Sequence, residues 1–413
     1  MGNKLIILLD INNSNQELIE KTFLGIDIKQ FSGILKDDFC KTQPEQSIGE
    51  LNVFKYYQRN TTIPQQVKVV LEQSFTASSK EGKVVLLTGI RNAHFLQQIK
   101  QQNDVEVFVL AFTPSIEIID NSGSFDKEVL DVYLQADYYL NPYLPDDKVQ
   151  EEVSRFKTLI GVNAKNVAVS IPRETEINMF SAYNAMYRSH CLSRAVGASI
   201  TTPGHELITT GWNDVPKAGG GVYGNNDKNH CFRFSNPKID DKTKIPGCHK
   251  DIENKSIIAE IKAELNSQGI TIGEKEQLIL NEIEKMQIKG LLEFSRSVHA
   301  ELHTIIKGSQ MVGDKIKGSI LYVTAFPCHN CARHIILAGV KTVYFIEPFI
   351  KSRALKLHND SLLLANKIDD YGNDDKVLLI PYQGVGGIAF DRFFKREGNL
   401  KIKVFKDKLE YHF

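Results

Sequence analysis

Two short motifs in the C-terminal third of this 413-residue chain constrain its fold more than any other feature. The first is His299-Ala300-Glu301, and the second contains Pro327, Cys328 and Cys331 as Pro-Cys-x-x-Cys. One imidazole and two thiolates can hold Zn²⁺ in a tetrahedral site whose fourth position stays open for water. A carboxylate two residues from the ligating imidazole can then carry protons to and from that water. The motifs therefore predict a zinc site of His299, Cys328 and Cys331, with Glu301 as the catalytic proton shuttle.

The spacing of the two motifs predicts how they sit on the fold. The 29 positions from His299 to Cys328 leave room for one helix, a loop and one strand, so each motif should open a helix. Helix N-termini favour thiolates. A structural zinc site would need a fourth protein ligand, and a redox dithiol would make no use of His299 or Pro327. The order His-x-Glu, then Pro-Cys-x-x-Cys, is typical of zinc-dependent nucleobase deaminases, which favours a catalytic site.

The composition narrows the choice of partners. Lysine plus arginine and aspartate plus glutamate both total 50, so the formal net charge is zero. Gripping a polynucleotide backbone usually requires a basic field, and we therefore expect no stable nucleic-acid partner. A small charged substrate remains compatible with a few placed cations. The N-terminal apolar run Leu5–Leu9 is too short for a signal peptide, and no stretch reaches membrane length, so we expect a cytoplasmic protein.

Residues 1–165 alternate short apolar runs with amphipathic stretches, which predicts a parallel sheet covered by helices. The predicted strands are Leu5–Leu9, Val84–Thr88, Val105–Ala111 and Ala136–Asn141. The predicted helices are Gln65–Gln73, Ala93–Gln102 and Asp146–Leu159. A linker around Gly161–Thr175 then separates this part from a second domain over residues 175–413.

The second domain is predicted to carry the zinc motifs on alternating helices and strands, interrupted by a polar insertion at about 214–273. Its predicted helices are Glu176–Arg194, Glu274–Phe294, His299–Lys307, Cys328–Ala338 and Arg353–Asn359. Its predicted strands are Val196–Ile200, His205–Thr210, Ser319–Thr324 and Val340–Ile346. Near the C-terminus, Gly384, Gly386 and Gly387 predict a flexible loop.

Several further residues are candidates for binding substrate. Asn213 ends a predicted strand beside the zinc motifs, where it could bond a sugar hydroxyl or a base oxygen; the alternative is a turn asparagine bonded to its own backbone. Ala300 could present its backbone to the substrate ring. Lys351 and Ser352 could meet nucleotide phosphates, and Arg194 is a further candidate for that role, although charges at strand ends are usually solvated.

A looser group of soft ligands raises the question of a second, structural zinc. Its members are Cys191, Cys231, Cys248 and His249. The alternative is a set of thiols with no metal, which the wide spacing favours because structural zinc sites usually have closely spaced ligand pairs.

The chain resembles the bacterial anti-phage dCTP deaminases. The resemblance rests on Phe326–Ile336, continuing through Tyr344–Pro348 to Lys351-Ser352, on Cys191–Ala198, and on the stretch through Gly211-Trp212-Asn213. Deoxycytidylate deaminases share these segments more loosely, and the resemblance covers essentially Thr175 to the C-terminus. It implies that His299, Cys328 and Cys331 bind zinc, that Glu301 moves protons, and that Asn213 contacts the nucleoside.

The resemblance also implies an α/β architecture with an N-terminal P-loop-kinase-like parallel sheet and a C-terminal three-layer αβα domain like that of cytidine deaminases. After the first strand, Asp10–Gln16 contains no glycine and no Gly-Lys-Ser/Thr, so the N-terminal domain is predicted to be degenerate and non-hydrolysing, a scaffold, sensor or oligomerisation surface. The implied reaction converts dCTP, and also dCMP, to the deoxyuridine nucleotide, depleting dCTP during phage infection. A homo-oligomer is implied as well.

Three other functions remain open. A housekeeping dCMP deaminase would share the zinc motifs but has less use for an N-terminal domain. A polynucleotide cytidine deaminase would be expected to show an aromatic and basic groove, for which the sequence gives no signal. A partner-binding module could use zinc only to stabilise its fold.

Overall fold

The structure is a computed structural model. It describes residues 3–9, 19–21, 23, 26–42, 62–75, 83–102, 104–113, 127–162, 170–224, 227, 249–269, 273–286, 294–348, 352–365 and 375–395. Within these residues the chain forms two six-stranded sheets with helices packed on them. The α/β class predicted from the sequence is confirmed.

The first sheet is built mainly from the N-terminal part of the chain. Its strands are β1 (Asn3–Leu9), β2 (Asp27–Gln30), β3 (Val84–Thr88), β4 (Val105–Phe112), β5 (Tyr138–Leu140) and β12 (Gly384–Val385). Their order is β12-β5-β4-β1-β3-β2, and all pairs are parallel except β12 with β5. The central strands are buried on both faces, as is usual when helices cover both sides of a parallel sheet. The helices of this part are α1 (Phe31–Thr42), α2 (Ile63–Ser74), α3 (Ala93–Lys100), α4 (Lys127–Tyr133) and α5 (Asp146–Leu159).

The second sheet carries the zinc motifs. Its strands are β6 (Gly197–Thr201), β7 (Leu207–Trp212), β8 (Ile320–Ala325), β9 (Thr342–Glu347), β10 (Leu362–Leu364) and β11 (Val377–Pro381). Their order is β10-β11-β9-β8-β6-β7, with β6 antiparallel to both of its neighbours and the other pairs parallel. Its helices are α6 (Glu174–Met186), α7 (His249–Ser267), α8 (Glu274–Met286), α9 (Ala300–Val312), α10 (His329–Leu337), α11 (Ala354–Leu357) and α12 (Phe390–Phe394).

The two sheets share a hydrophobic core. Met179 and Ala182 of α6 pack in the same buried cluster as Tyr133 and Tyr139 from the N-terminal part, and Tyr382 joins them after β11. The rings of Tyr133 and Tyr139 lie 5.2 Å apart, a separation typical of favourable aromatic pairs. Burial of these side chains from both parts of the chain therefore joins the sheets into one packed body.

The C-terminal glycines do not form the flexible loop expected from the sequence. Gly384 lies in β12 and adopts a φ of +129°, a conformation that side chains rarely adopt. A Cβ on Gly386 would lie 2.2 Å from the Ala136 carbonyl oxygen, and one on Gly387 would lie 2.2 Å from the Tyr183 ring. The glycines thus allow close packing of the C-terminal segment on the first sheet, because larger side chains would not fit at positions 386 and 387.

The helix predicted to run to Arg194 ends earlier, at Met186. Polar side chains offer the following backbone other partners: Asp214 accepts from the His190 N–H at 3.1 Å, and the Ser189 hydroxyl donates to the Asn213 carbonyl at 2.7 Å. Such local bonds compete with a helix, so residues 187–196 form an irregular loop. In the described part of the chain, no helix combines the length and apolar character that crossing a bilayer requires.

Candidate active site

Three predicted ligands converge on one point in the second sheet. His299 caps the N-terminus of α9 and Cys328 caps that of α10, with Cys331 in the first turn of α10. The His299 Nδ1 atom lies 3.3 Å from the Cys328 Sγ and 3.2 Å from the Cys331 Sγ. Among the described residues, this is the one group of His, Cys, Asp and Glu side chains with at least three ligand atoms within 4.8 Å of one another. One nitrogen and two sulfurs match the donor set of a zinc site.

The electrostatics of the three groups also suit a cation. A hydrogen bond from Cys331 lowers the pKa of Cys328 to about 4, and His299 acts in the same direction. A hydrogen bond with Cys328 in turn raises the pKa of His299 to about 9. The hydrogen bond between the two thiols, together with the burial of Cys331, raises the pKa of Cys331. The protons on Cys331 and His299 thus stabilise the buried negative charge of the Cys328 sulfur. A divalent cation would replace those protons, since thiolate and neutral imidazole are the forms that bind metal.

Glu301 lies beside this cluster without adding a ligand to it. Its side chain is in the first turn of α9, is only 4 % exposed, and interacts with the Cys331 thiol. Burial raises the pKa of the Glu301 carboxyl group, while the positive charge of His299 acts against that shift. A carboxyl group whose pKa is moved toward neutrality can both accept and donate a proton at the same site.

The scaffold fixes the two ligand-bearing loops through backbone bonds. Val298, just before His299, exchanges both its backbone bonds with Asp214, at 3.2 and 2.9 Å. On the other side, the Phe326 N–H donates to the Glu347 carbonyl at 2.8 Å, and the Ser352 hydroxyl donates to the Pro327 carbonyl at 2.7 Å. The ligands therefore sit on rigid elements, as a site that must keep its geometry requires.

Asn213 lies at the end of β7, where the sequence predicts it, but its amide is largely occupied. The Oδ1 atom accepts from the Val196 N–H at 2.7 Å, and the Nδ2 atom donates to the Arg194 carbonyl at 2.8 Å. One lone pair and one N–H of the amide remain for a substrate. Asn213 therefore holds the 187–196 loop against the zinc site. Ala300 is fully buried at the start of α9, where its carbonyl accepts from the Thr304 hydroxyl at 2.7 Å.

The other sequence candidates are only partly described. Ser352 lies close to the metal loop, where its hydroxyl binds Pro327 and accepts from the Ala354 N–H at 3.2 Å, so it orders that loop. Lys351 lies outside the described residues. Of the proposed second zinc site, Cys191 is half-buried, with its N–H bonded to Ser189 at 3.2 Å. Cys231, Cys248 and the His249 side chain lie outside the described residues, so the second zinc remains a prediction.

Two acidic residues at the site were not selected from the sequence. Asp214 is 1 % exposed and accepts from His190, whose Nδ1 lies 2.8 Å away, while its backbone pairs with Val298. Glu347 ends β9 and forms an ion pair with Arg194. A carboxylate at the end of a buried parallel strand is a signal that sequence can supply, because such ends meet at one edge of the sheet. The pairing of Asp214 with Val298 joins distant positions and produces no local pattern in the sequence.

A buried site of one nitrogen and two sulfurs, beside a carboxyl group that is not a ligand, has the features of a catalytic zinc site. Comparison with known proteins agrees. Residues 173–347 match the family model of the cytidine and deoxycytidylate deaminase zinc-binding region. Over these residues the chain is therefore similar to zinc-dependent deaminases, which are hydrolases, and zinc is the cofactor that its three ligands fit.

Individual relatives match different lengths of the chain. The deoxycytidylate deaminase of Enterobacteria phage T2 is 28% identical over 172 residues, which is 42% of this chain and 79% of that protein. The ComE operon protein 2 of Bacillus subtilis is 42% identical over 55 residues, 13% of this chain and 29% of that protein. The match to the dCMP deaminase of cyanophage S-TIM5, solved in apo form, covers 51% of this chain and 99% of that one at 18% identity, with a TM-score of 0.26.

Proposed function

We propose that this protein hydrolyses the 4-amino group of free deoxycytidine nucleotides, dCTP and dCMP, to give deoxyuridine nucleotides and ammonia. The observation that carries the proposal is the buried Glu301 carboxyl group beside a metal site with three protein ligands. The match to the deaminase zinc-binding region and the likeness to the phage T2 deoxycytidylate deaminase support a deoxycytidine nucleotide as substrate. The resemblance of the segment Phe326–Ser352 to anti-phage dCTP deaminases is our reason for naming dCTP first.

The residues of the site have distinct tasks in this reaction. Zinc, when bound by His299, Cys328 and Cys331, supplies the Lewis acidity that makes water nucleophilic near neutral pH. Glu301 accepts a proton as the water oxygen bonds to C4 of the base, and it passes that proton to N3. It then takes the proton of the C4 hydroxyl group and delivers it to the departing amino group, so that the C4–N bond breaks, the C4 carbonyl forms, and cytosine and water yield uracil and ammonia. Ala300, fully buried between His299 and Glu301, would present its backbone to the base ring.

The proposal includes a biological role. Depletion of dCTP would starve viral DNA synthesis, and a cytoplasmic location follows from the use of free nucleotides. The N-terminal sheet, with no Gly-Lys-Ser/Thr after β1, would act as a non-hydrolysing scaffold, sensor or oligomerisation surface. Measurement of the dCTP pool in infected cells, with and without the protein, tests the role. Nucleoside triphosphate hydrolysis and solution mass test the N-terminal domain.

The central experiment incubates zinc-loaded protein separately with dCMP, dCTP, CTP and single-stranded DNA and measures the uracil-containing products. We expect deoxyuridine nucleotides from dCTP and dCMP. Glu301→Gln should abolish turnover and keep the zinc content, whereas Glu174→Gln, at an exposed carboxylate in the same domain, should leave both unchanged. Uracil formed only in DNA would contradict the substrate. A Glu301→Gln variant that retains full effect in cells would favour a binding module with a structural zinc.

A further inference from the structure

The zinc loop lies at the carboxyl ends of the parallel strands β8 and β9, where ligands bind in open α/β sheets. A charged pair occupies this edge: the Arg194 guanidinium forms an ion pair with the Glu347 carboxylate. The Glu347 side chain is only 10% exposed, whereas that of Arg194 is 35% exposed. The pair therefore has a buried acid and a partly exposed arginine, whose Nη2 atom is buried where it faces the acid.

Backbone contacts place this pair next to both sets of metal ligands. Glu347 receives the N–H of Phe326, two residues before Cys328, at 2.8 Å. The carbonyl of Arg194 accepts a hydrogen bond from the Asn213 side chain. Asp214, which follows Asn213, pairs through its backbone with Val298, the residue before His299.

The two partners differ in their freedom to move. Glu347 ends a strand inside the sheet, and on its other side the Tyr133 hydroxyl of α4 donates to the neighbouring Ile346 carbonyl at 3.5 Å. Arg194 belongs to the irregular loop between Met186 and Gly197. A guanidinium on a long side chain can exchange one oxyanion partner for another, and its planar fork fits a phosphate with two parallel hydrogen bonds.

We propose that Arg194 is the phosphate receptor of the substrate pocket and that Glu347 is the resident carboxylate whose place the substrate phosphate takes. This inference rests on the proposed function, because it assumes that a nucleotide enters beside the zinc. Glu347 then serves as a counter-ion in the free enzyme and as a repulsive charge once a phosphate is present. The site recognises a phosphate monoester or a longer phosphate chain and gives no advantage to an uncharged nucleoside.

The simpler interpretation is that the ion pair only ties the 187–196 loop to the end of β9. The two interpretations predict opposite effects of the Glu347→Gln substitution on nucleotide binding. A tether is broken by removal of either partner, so both variants would impair all substrates alike. A phosphate receptor with a competing acid predicts opposite effects: loss of Arg194 weakens nucleotide binding, and neutralisation of Glu347 strengthens it.

The test compares wild type, Arg194→Ala, Arg194→Lys, Glu347→Gln and Arg188→Ala as zinc-loaded full-length proteins. Arg188 is the matched control, because its guanidinium stacks on Trp212, 3.7 Å from the ring centroid, and not on Glu347. KM and kcat are measured with dCMP and with deoxycytidine, and calorimetry compares binding of dUMP with binding of deoxyuridine. Zinc content and melting temperature report on folding.

We expect Arg194→Ala to raise the KM for dCMP and the Kd for dUMP by about 30-fold, the value of one charge-assisted contact. Arg194→Lys should recover part of the loss, and Glu347→Gln should lower both constants by about 3- to 10-fold. Arg188→Ala should change neither, and none of the variants should alter the nucleoside constants. Equal losses with nucleoside and nucleotide, or a weaker dUMP complex in Glu347→Gln, would overturn the inference.

The calorimetry separates this inference from the proposed function. A wild-type protein that binds dUMP through Arg194 but deaminates no cytosine compound would contradict the proposed function and leave the phosphate receptor supported. A wild-type protein that deaminates dCMP, with dUMP binding unchanged in Arg194→Ala, would contradict the receptor alone.

Discussion

Glu176 is the residue whose replacement should disturb the joint between the two sheets most. Its side chain is 0% exposed and accepts hydrogen bonds from both terminal nitrogens of the Arg155 guanidinium group, at 2.6 and 2.7 Å. It also accepts the Arg173 N–H at 2.7 Å and the Val385 N–H of β12 at 3.0 Å. Arg155 belongs to α5, so one carboxylate links a helix of the N-terminal part, the first turn of α6 and strand β12 of the first sheet.

Glu176→Gln keeps the volume of the side chain and removes its charge. The new amide group would face donors on Arg155 or Arg173, and the half-buried guanidinium would lose its counter-ion. Breaking a buried pair on one side typically costs 3–5 kcal/mol, and because the Arg155 side chain keeps some contact with water we expect about 3 kcal/mol. Urea unfolding of the zinc-loaded protein, followed by circular dichroism, measures this difference in the free energy of unfolding.

Two controls sharpen the result. Glu151→Gln removes the partner of Lys148 from a solvent-exposed ion pair of 3.1 Å and should change stability far less than Glu176→Gln. The double variant Arg155→Met, Glu176→Leu should lose less than the sum of its single changes, since neither partner is then left as an unpaired charge. A loss in Glu176→Gln no larger than that in Glu151→Gln would refute the reasoning that this carboxylate joins the sheets.

Two further predictions concern buried positions. Gly211→Ala would place a Cβ 2.3 Å from the Thr304 hydroxyl oxygen of α9, so we expect the free energy of unfolding to fall by about 2–3 kcal/mol and zinc to be held more weakly. The control Gly204→Ala, whose Cβ would lie 3.7 Å from its nearest neighbour, should be nearly neutral. Equal stability of the two variants would contradict this packing. Burial raises the pKa of Asp137, so the folded state holds its proton more tightly than the unfolded state, and this group's contribution to stability is lost as pH rises from about 3.8 through the folded pKa. Relative to Asp137→Asn, the wild-type free energy of unfolding should therefore fall with rising pH in that window, by at most about 1.4 kcal/mol per pH unit; a pH-independent difference would count against it.

The sequence was informative wherever a local pattern controls the structure. The apolar run Val84–Thr88 and the helix Asp146–Leu159 have the predicted bounds, because burial on both faces and a helical apolar period are each visible over a few residues. The three metal ligands also lie together as their motif spacing predicts. Helix ends and short strands were less visible, and β2, β10, β11 and β12 were not predicted.

What the sequence could not supply depends on contacts between distant residues. β12 has only two residues, and it exists because Gly384 and Val385 find β5 about 245 positions earlier and Glu176 beneath them. The role of Asn213 is similar: the residue was selected, but its bonds to Arg194 and Val196 depend on a loop whose path no local pattern determines. Such pairings are chosen by the packing of the whole chain.

X-ray absorption at the zinc edge of the purified wild-type protein tests the central claim most directly. Three protein ligands and an open position predict two sulfur neighbours at about 2.3 Å and two lighter neighbours at about 2.0–2.1 Å, one of them an oxygen that exchanges with solvent. Loss of one sulfur neighbour in Cys328→Ser would assign the shell to this cluster. A shell of four protein atoms, or zinc bound with no sulfur neighbour, would contradict the account of a catalytic metal site beside Glu301.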